Sequence, residues 1–117
     1  MNLTIHPRPL SGTLRVPSSK SMTHREIIAA ALAEGMSEVT GVTWSQDIEA
    51  TVRILTRLGA SIEKKEGEGG LILSISGGLR KQEGLIEADA GESGSTLRFL
   101  IPLGLSFGNH VVYTGHG

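Results

Sequence analysis

The chain alternates between short strand-like runs and longer helix-like runs, and this alternation limits the folds that it can adopt. Residues 20–34 and 46–58 are rich in aliphatic side chains that recur at helical spacing. Gly35 and Gly59 follow these runs, in the place where glycine commonly ends a helix. The predicted core-facing residues are Ile28, Ala31 and Leu32 in the first helix and Ile48, Val52, Leu55 and Leu58 in the second. An α/β (α+β) fold follows from this order of elements.

Strand-like segments fill the remaining sequence up to Gly78. Residues 3–16 alternate apolar and polar side chains and contain prolines that exclude a helix, which predicts two short strands. Residues 38–42 form a further predicted strand. Residues 60–64 and 71–76 flank a charged, glycine-rich turn and therefore predict a β-hairpin.

The pattern begins again after Gly78, with a predicted strand at 85–88, a helix at 96–106 and a strand at 111–113. Arg25 recurs as Arg98, 73 positions later, and a helix-ending glycine recurs at the same interval. We interpret this recurrence as a repeated β-α-β-α-β-β subdomain. One complete unit is expected at about 19–78 and an incomplete second unit at about 79–117. We therefore expect the chain to be a fragment of a longer protein.

Composition excludes several classes of function. The net charge of −1 leaves no general basic field for nucleic acid, and the absence of cysteine removes disulfides and thiolate metal sites. The four histidines show no metal-ligand spacing. No apolar run reaches membrane-spanning length, and the N-terminus lacks the apolar region of a signal peptide. We therefore expect a cytoplasmic protein with no metal, no nucleic acid and no membrane partner.

The loop that enters the first predicted helix carries hydroxyl and cationic side chains. A helix N-terminus attracts anions through its free N–H groups and its dipole. Ser21 and Arg25 are four residues apart and share a helix face, and Lys20 adds a mobile positive charge beside them. Leu14 and Ser19 stand where a Walker A loop requires glycine, which excludes a P-loop. From the residues alone, anion binding and simple helix capping by serine both stay open.

A second loop, residues 89–98, also enters a predicted helix. Gly91 and Gly94 permit unusual backbone angles and the close approach of a ligand. The simpler interpretation is a flexible connection with Ser93 or Ser95 as the N-cap. The correspondence with the first loop favours ligand contact, because two helix N-termini from related units would point into one cleft.

Other polar and aromatic residues have structural interpretations. His24 is expected to be an exposed helix histidine, and Trp44 is expected to pack on the core. Asp47 and Glu49 lie in the first turn of the second predicted helix, where acids favour the helix dipole. We assign no chemistry to either acid.

The two loops together resemble the substrate-binding segments of the EPSP synthase family. Residues 17–25 (PSSKSMTHR) are similar to its P-x-S-K-S-x-(S/T)-x-R segment, and residues 91–98 (GESGSTLR) to its G-N-(A/S)-G-T-x-x-R segment. The resemblance covers essentially the whole chain, and the two motifs together are specific. Glu92 and Ser95 depart from the pattern, which often has Asn and Thr there. An extra acid beside an anion pocket is expected to reduce affinity.

The resemblance implies an enolpyruvyl transfer that needs no metal or organic cofactor. Phosphoenolpyruvate would donate its enolpyruvyl group to the 5-hydroxyl of shikimate 3-phosphate by addition and elimination, and phosphate would leave. The catalytic candidate is Lys20, which would contact both substrates. Ser21 and Arg25 would hold shikimate 3-phosphate, and the Gly94 backbone would line the phosphoenolpyruvate pocket, which the herbicide glyphosate also occupies. Arg98 is expected to support this loop.

The resemblance also implies two domains, each of three such units. Residues 1–18 would belong with the far domain, and 19–117 would be a partial N-terminal domain. The full enzyme is expected to be a monomer, whereas the isolated chain is expected to be inactive and prone to self-association.

Two alternatives remain. The first is the sister enolpyruvyl transferase that acts on UDP-N-acetylglucosamine, which typically has Lys-Asn where this chain has Lys20-Ser21 and uses a cysteine that this chain lacks. The second is a non-catalytic interaction module of related topology. The net charge argues against RNA binding by such a module.

Overall fold

Three helices and five strands form the protein, and its computed structural model describes residues 1–117. The elements are α1 (Lys20–Leu32), β1 (Met36–Val42), α2 (Gln46–Arg57), β2 (Ser61–Gly67), β3 (Gly70–Ser76), β4 (Leu85–Asp89), α3 (Gly94–Ser106) and β5 (His110–Thr114). This mixture of helices and strands confirms the predicted fold class. None of the helices has the length and apolar character needed to cross a membrane.

The strands form two separate sheets. One is antiparallel with the order β1-β3-β2, and the other is a parallel pair of β4 and β5. The predicted β2–β3 hairpin is confirmed, but its turn is confined to Glu68 and Gly69 because both strands are longer than predicted. The register of β1 against β3 shifts between Val39 and Val42. Gly41 lies in this irregularity with a φ of 69°, a left-handed conformation that glycine adopts without steric strain.

Helix α2 joins the two sheets through one hydrophobic core. It packs against β2 of the first sheet and β4 of the second, and α1 and α3 both pack on it. Its residues Ile54 and Leu55 and the capping Leu58 are fully buried, and the core cluster extends from Ile27 in α1 to Leu100 in α3. Trp44 packs on this cluster, as predicted. Both flanking helices therefore share α2 as a packing partner, while α1 also packs on β1 and β3 and α3 on β5.

The buried face of α1 differs from the predicted one. Ile27 and Ala31 are fully buried, whereas Leu32 is 41% exposed. Residues 27–33 are apolar on every side of the helix, so their spacing does not select a face. The face is selected by packing, and the buried stripe continues one turn towards the N-terminus through two polar residues, Thr23 and His24.

The two strands predicted in residues 3–16 are not formed. Residues 1–19 contain no helix or strand and are exposed. The Arg15 guanidinium donates a hydrogen bond to the Glu68 carbonyl at 3.3 Å, which is a contact with a turn and not a strand pairing. A strand requires a neighbour for its backbone N–H and C=O groups, and no strand lies beside this segment. Its assignment to a far domain and the repeated subdomain both stay predictions.

Candidate active site

The N-terminal ends of the three helices meet around Asp47. The Nζ atom of Lys20, the first residue of α1, lies 2.5 Å from Oδ2 of Asp47 in the first turn of α2. The hydroxyl of Thr96, in the first turn of α3, donates a hydrogen bond to the Asp47 carbonyl at 3.1 Å. Asp47 therefore connects the two loops for which the sequence predicts ligand contact.

A serine caps each of these helices. The hydroxyls of Ser19, Ser45 and Ser93 accept hydrogen bonds from the backbone N–H three residues later, at 3.4, 3.3 and 3.2 Å. The cap of α3 is therefore Ser93 and not Ser95. The first turns of α1 and α3 contain no acidic residue, so their own side chains do not neutralise the positive ends of their dipoles.

The residues that the sequence predicts for the site lie on the accessible surface at this end. The side chain of Lys20 is 58% exposed, and Ser21 and Arg25 are exposed one turn apart on α1. The Arg25 guanidinium makes only a weak contact, 3.8 Å from the Met22 sulfur. A Cβ atom added at Gly94 would meet no atom within 4 Å. All four predicted residues are therefore accessible to a ligand. Of the four, only Lys20 is paired with Asp47.

Asp47 is a residue of this site to which sequence reasoning assigned no chemistry. The hydrogen bond from the Lys20 ammonium lowers the pKa of the Asp47 carboxyl from its ordinary 3.8, against the opposing effect of burial. The Asp47 carboxyl is therefore ionised at neutral pH, and its contact with the Lys20 ammonium limits the directions in which Lys20 can point. The only sequence signal for a role of Asp47 was its place in the first turn of a predicted helix, and an acid there is equally explained by its favourable interaction with the helix dipole.

The prediction that His24 is exposed is wrong, because its side chain is fully buried between α1 and α2. Its Nδ1 atom lies 2.9 Å from the Thr51 hydroxyl oxygen. Burial lowers the pKa of His24 from its ordinary 6.5, opposed by the charge of Asp47 and assisted by that of Lys20. The imidazole is therefore neutral at neutral pH.

The second loop is held by hydrogen bonds, and Ser93 is the N-cap that the simpler interpretation of this loop allowed. The Arg53 guanidinium donates to the Asp89 carbonyl at 2.8 Å, and the Gly91 N–H donates to the Asp89 carboxylate at 2.8 Å. The Ser93 N–H donates to the Ala90 carbonyl at 3.0 Å. Gly91 has a φ of 58°, which suits glycine. The loop therefore presents a defined backbone at the start of α3.

A cavity of about 520 Å³ lies between α2 and the second loop. Its titratable lining residues are Asp47, Glu49, Arg53, Asp89, Glu92 and His116. Four carboxylates against one guanidinium disfavour an anion there, and none of the four predicted site residues lines the cavity. An anionic ligand is therefore expected at the exposed cations of α1. No three acidic or histidine side chains are grouped so as to hold a metal ion.

Comparison with known proteins gives one family. A family model described as EPSP synthase (3-phosphoshikimate 1-carboxyvinyltransferase) matches residues 5–117. The 3-phosphoshikimate 1-carboxyvinyltransferase of Clostridioides difficile is 43% identical over 127 aligned positions, which cover 99% of this chain and 28% of that relative. The corresponding protein of Clostridium kluyveri is 43% identical over 115 positions, covering 98% of this chain and 26% of the relative.

A solved structure of the same family has a similar fold. The EPSP synthase from Acinetobacter baumannii superposes with a TM-score of 0.69 at 31% identity, over 91% of this chain and 24% of that one. The chain thus spans about a quarter of the length of the relatives that it matches. Because the family match extends over nearly all of the sequence and the fold agrees with it, the chain belongs to the EPSP synthase family, the 3-phosphoshikimate 1-carboxyvinyltransferases.

Proposed function

We propose that the protein containing this chain transfers the enolpyruvyl group of phosphoenolpyruvate to the 5-hydroxyl of shikimate 3-phosphate and releases phosphate. The observation that carries the proposal is the set of exposed groups Lys20, Ser21 and Arg25 at the N-terminal end of α1, in a chain of this family. Two cations, a hydroxyl and an unneutralised helix end form a surface that attracts phosphate and carboxylate groups.

The reaction is an addition to the double bond of phosphoenolpyruvate followed by an elimination of phosphate. The 5-hydroxyl oxygen bonds to C2 of phosphoenolpyruvate, the hydroxyl proton is released, and C3 gains a proton. C3 then loses a proton, the C2–O bond to phosphate breaks, and the enol ether remains. No electrons pass to or from an external group, so the step calls for acid and base groups and charge stabilisation but no redox cofactor.

Each proposed site residue has a role that its position allows. Lys20 contacts both anionic substrates near the reacting hydroxyl, and the Asp47 carboxylate holds its ammonium group in position. Ser21 and Arg25 bind shikimate 3-phosphate from adjacent turns of α1. The Gly94 backbone lines the phosphoenolpyruvate pocket, and the open space beside it leaves room for a ligand close to the main chain.

The proposal also covers the cellular compartment, the oligomeric state and the domain organisation of the enzyme. We place it in the cytoplasm as a monomer, and we assign residues 1–18 to a far domain of the full-length protein. The exposed apolar side chains of Leu3, Ile5 and Leu14 in this segment support the assignment, because they lack a packing partner in this structure.

A turnover assay tests the proposal. The full-length protein should release phosphate from phosphoenolpyruvate only when shikimate 3-phosphate is added, and UDP-N-acetylglucosamine should not replace it. Lys20→Ala should reduce kcat by at least about a hundredfold while circular dichroism stays unchanged. Lys81→Ala is the matched control, because Lys81 is exposed in the loop that packs beside the C-terminal end of α2. Near-normal turnover by Lys20→Ala would refute the role given to Lys20.

A further inference from the structure

A continuous chain of buried polar side chains runs behind the exposed cations. His24 Nδ1 lies 2.9 Å from Thr51 Oγ1, which lies 2.8 Å from Thr96 Oγ1. The Ser93 hydroxyl lies 2.7 Å from Thr96 Oγ1, and Thr96 donates to the Asp47 carbonyl at 3.1 Å. His24, Thr51 and Thr96 are fully buried, and Ser93 is 5% exposed. The chain links all three helices close to the point where Asp47 holds Lys20.

This buried chain of side chains can complete all four of its hydrogen bonds with only one set of donors. It contains four contacts, and each contact requires one proton. The hydroxyls of Thr51, Thr96 and Ser93 supply one proton each, so the fourth must come from His24. Thr96 gives its proton to the Asp47 carbonyl, which accepts only. Thr51 therefore donates to Thr96, and His24 Nδ1–H donates to Thr51.

With its proton on Nδ1, the neutral His24 ring has an unprotonated Nε2 that carries only a lone pair. Nε2 is buried and has no hydrogen-bond partner, and the ring of Phe99 lies 6.1 Å away between centroids. A proton on Nε2 would create a buried cationic N–H without an acceptor, which is costly. The charged groups that act on the imidazole are Asp47 from α2, which favours a second proton, and Lys20 from α1, which opposes it. Burial lowers the pKa of His24 by more than the charge of Asp47 raises it, so the ring stays neutral at pH 7.

We propose that His24 is a positioning residue for anion binding, which acts through Thr51 and Thr96 on the main chain of Asp47 and thereby on Lys20. The inference rests on the proposed function, since it concerns the placement of the same cation. Asp47 is the point of transmission because its carbonyl receives the buried chain and its carboxylate holds the ammonium. Loss of the Nδ1–H donor removes one of the four protons that complete the buried hydrogen bonds. The hydroxyls of Thr51 and Thr96 must then reorient, and one of their hydrogen bonds is lost.

The tautomer can be measured without any activity. Long-range ¹H–¹⁵N spectra of the labelled chain distinguish a ring protonated at Nδ1 from one protonated at Nε2 or at both nitrogens. We expect His24 to carry its proton on Nδ1 at pH 7 and to remain mostly neutral when the pH falls to its ordinary pKa of 6.5, because burial lowers the pKa. An Nε2–H ring or an imidazolium at pH 7 would overturn the proposal.

Matched variants of the full-length enzyme test the positioning role. An Asn side chain places its amide N–H where His24 has Nδ1, whereas Leu has similar bulk and no donor. We expect His24→Asn to bind shikimate 3-phosphate nearly normally and His24→Leu to raise its KM by about tenfold with a smaller change in kcat. Thr51→Val should behave like His24→Leu, and Thr51→Ser should be close to normal. Thr56→Val is the control on the same helix, because its hydroxyl bonds only to the Val52 carbonyl.

A pH profile separates the donor role of His24 Nδ1 from an effect of charge on the ring. The substrate phosphate titrates near pH 6 for every variant, so the ratio of KM values between wild type and His24→Asn isolates the imidazole. Protonation at Nε2 leaves the Nδ1–H donor to Thr51 in place, so this ratio should be close to one at pH 8 and should stay close to one as the pH falls. A ratio that rises as His24 becomes protonated, or a His24→Asn variant as impaired as His24→Leu, would overturn the positioning role of the Nδ1 donor. Absence of turnover in the wild type would instead overturn the proposed function, whatever the tautomer of His24.

Discussion

Gly77, which follows β3, packs against the C-terminal end of α1 at a place that leaves no room for a side chain. A Cβ atom at this position would lie 2.8 Å from the carbonyl oxygen of Ala31 and closer still to those of Ala30 and Ala33. All three are backbone atoms, so no side-chain rotation can relieve the contact. Gly77→Ala therefore requires the end of α1 to move away from β3.

The magnitude follows from what this movement breaks. The Gly77 N–H donates to the Gly35 carbonyl at 3.0 Å, and the Gly78 N–H donates to the Ala31 carbonyl at 2.9 Å. Overpacking of this kind costs about 1–3 kcal/mol, and each lost hydrogen bond adds about 1 kcal/mol. We expect the free energy of unfolding to fall by ~3–5 kcal/mol, a large part of the ~5–15 kcal/mol typical of a domain.

Urea denaturation followed by circular dichroism measures this loss. Gly94→Ala is the matched control, because a Cβ at Gly94 meets no atom within 4 Å and its φ is not positive. We expect the control to change the free energy of unfolding by less than about 0.5 kcal/mol. A loss below about 1 kcal/mol for Gly77→Ala would refute the crowding argument, as would an equal loss in the control.

Three further predictions concern titration and assembly. The pKa values of His24 and Asp47 are lowered from 6.5 and 3.8, so the unfolded state binds more protons than the folded state at low pH. Thermal stability should therefore fall as the pH drops below about 6.5, because of His24, and fall again through the lowered pKa of Asp47. His24→Asn should remove the first of these two decreases. Burial raises the pKa of Tyr113 above 10.0, so unfolding should become easier above about pH 10, and Tyr113→Phe should abolish this alkaline effect in the same assay. Leu85 and Val112 are 64% and 45% exposed on the face of the β4–β5 sheet that no helix covers. Sedimentation should therefore show concentration-dependent self-association of the isolated chain that Leu85→Lys weakens.

The success of the sequence predictions depended on whether the signal was local. The helices and the hairpin could be assigned because apolar spacing, serine caps and glycine stops act within a few residues. The buried face of α1 could not be assigned, because residues 27–33 are apolar all round and only α2 and the sheet decide which side is covered. The strands predicted in residues 3–16 failed for the related reason that a strand needs a partner.

The candidate site divides in the same way. The sequence by itself was enough to identify the two loops and the exposed groups Lys20, Ser21 and Arg25, because a cationic, hydroxyl-rich helix start is readable from consecutive residues. Only the tertiary structure decided that His24 is buried and that Asp47 holds Lys20. Both facts arise from the packing of α1 against α2, across a sequence separation of 27 residues. Contacts at that separation depend on how whole helices pack, and no local pattern records them.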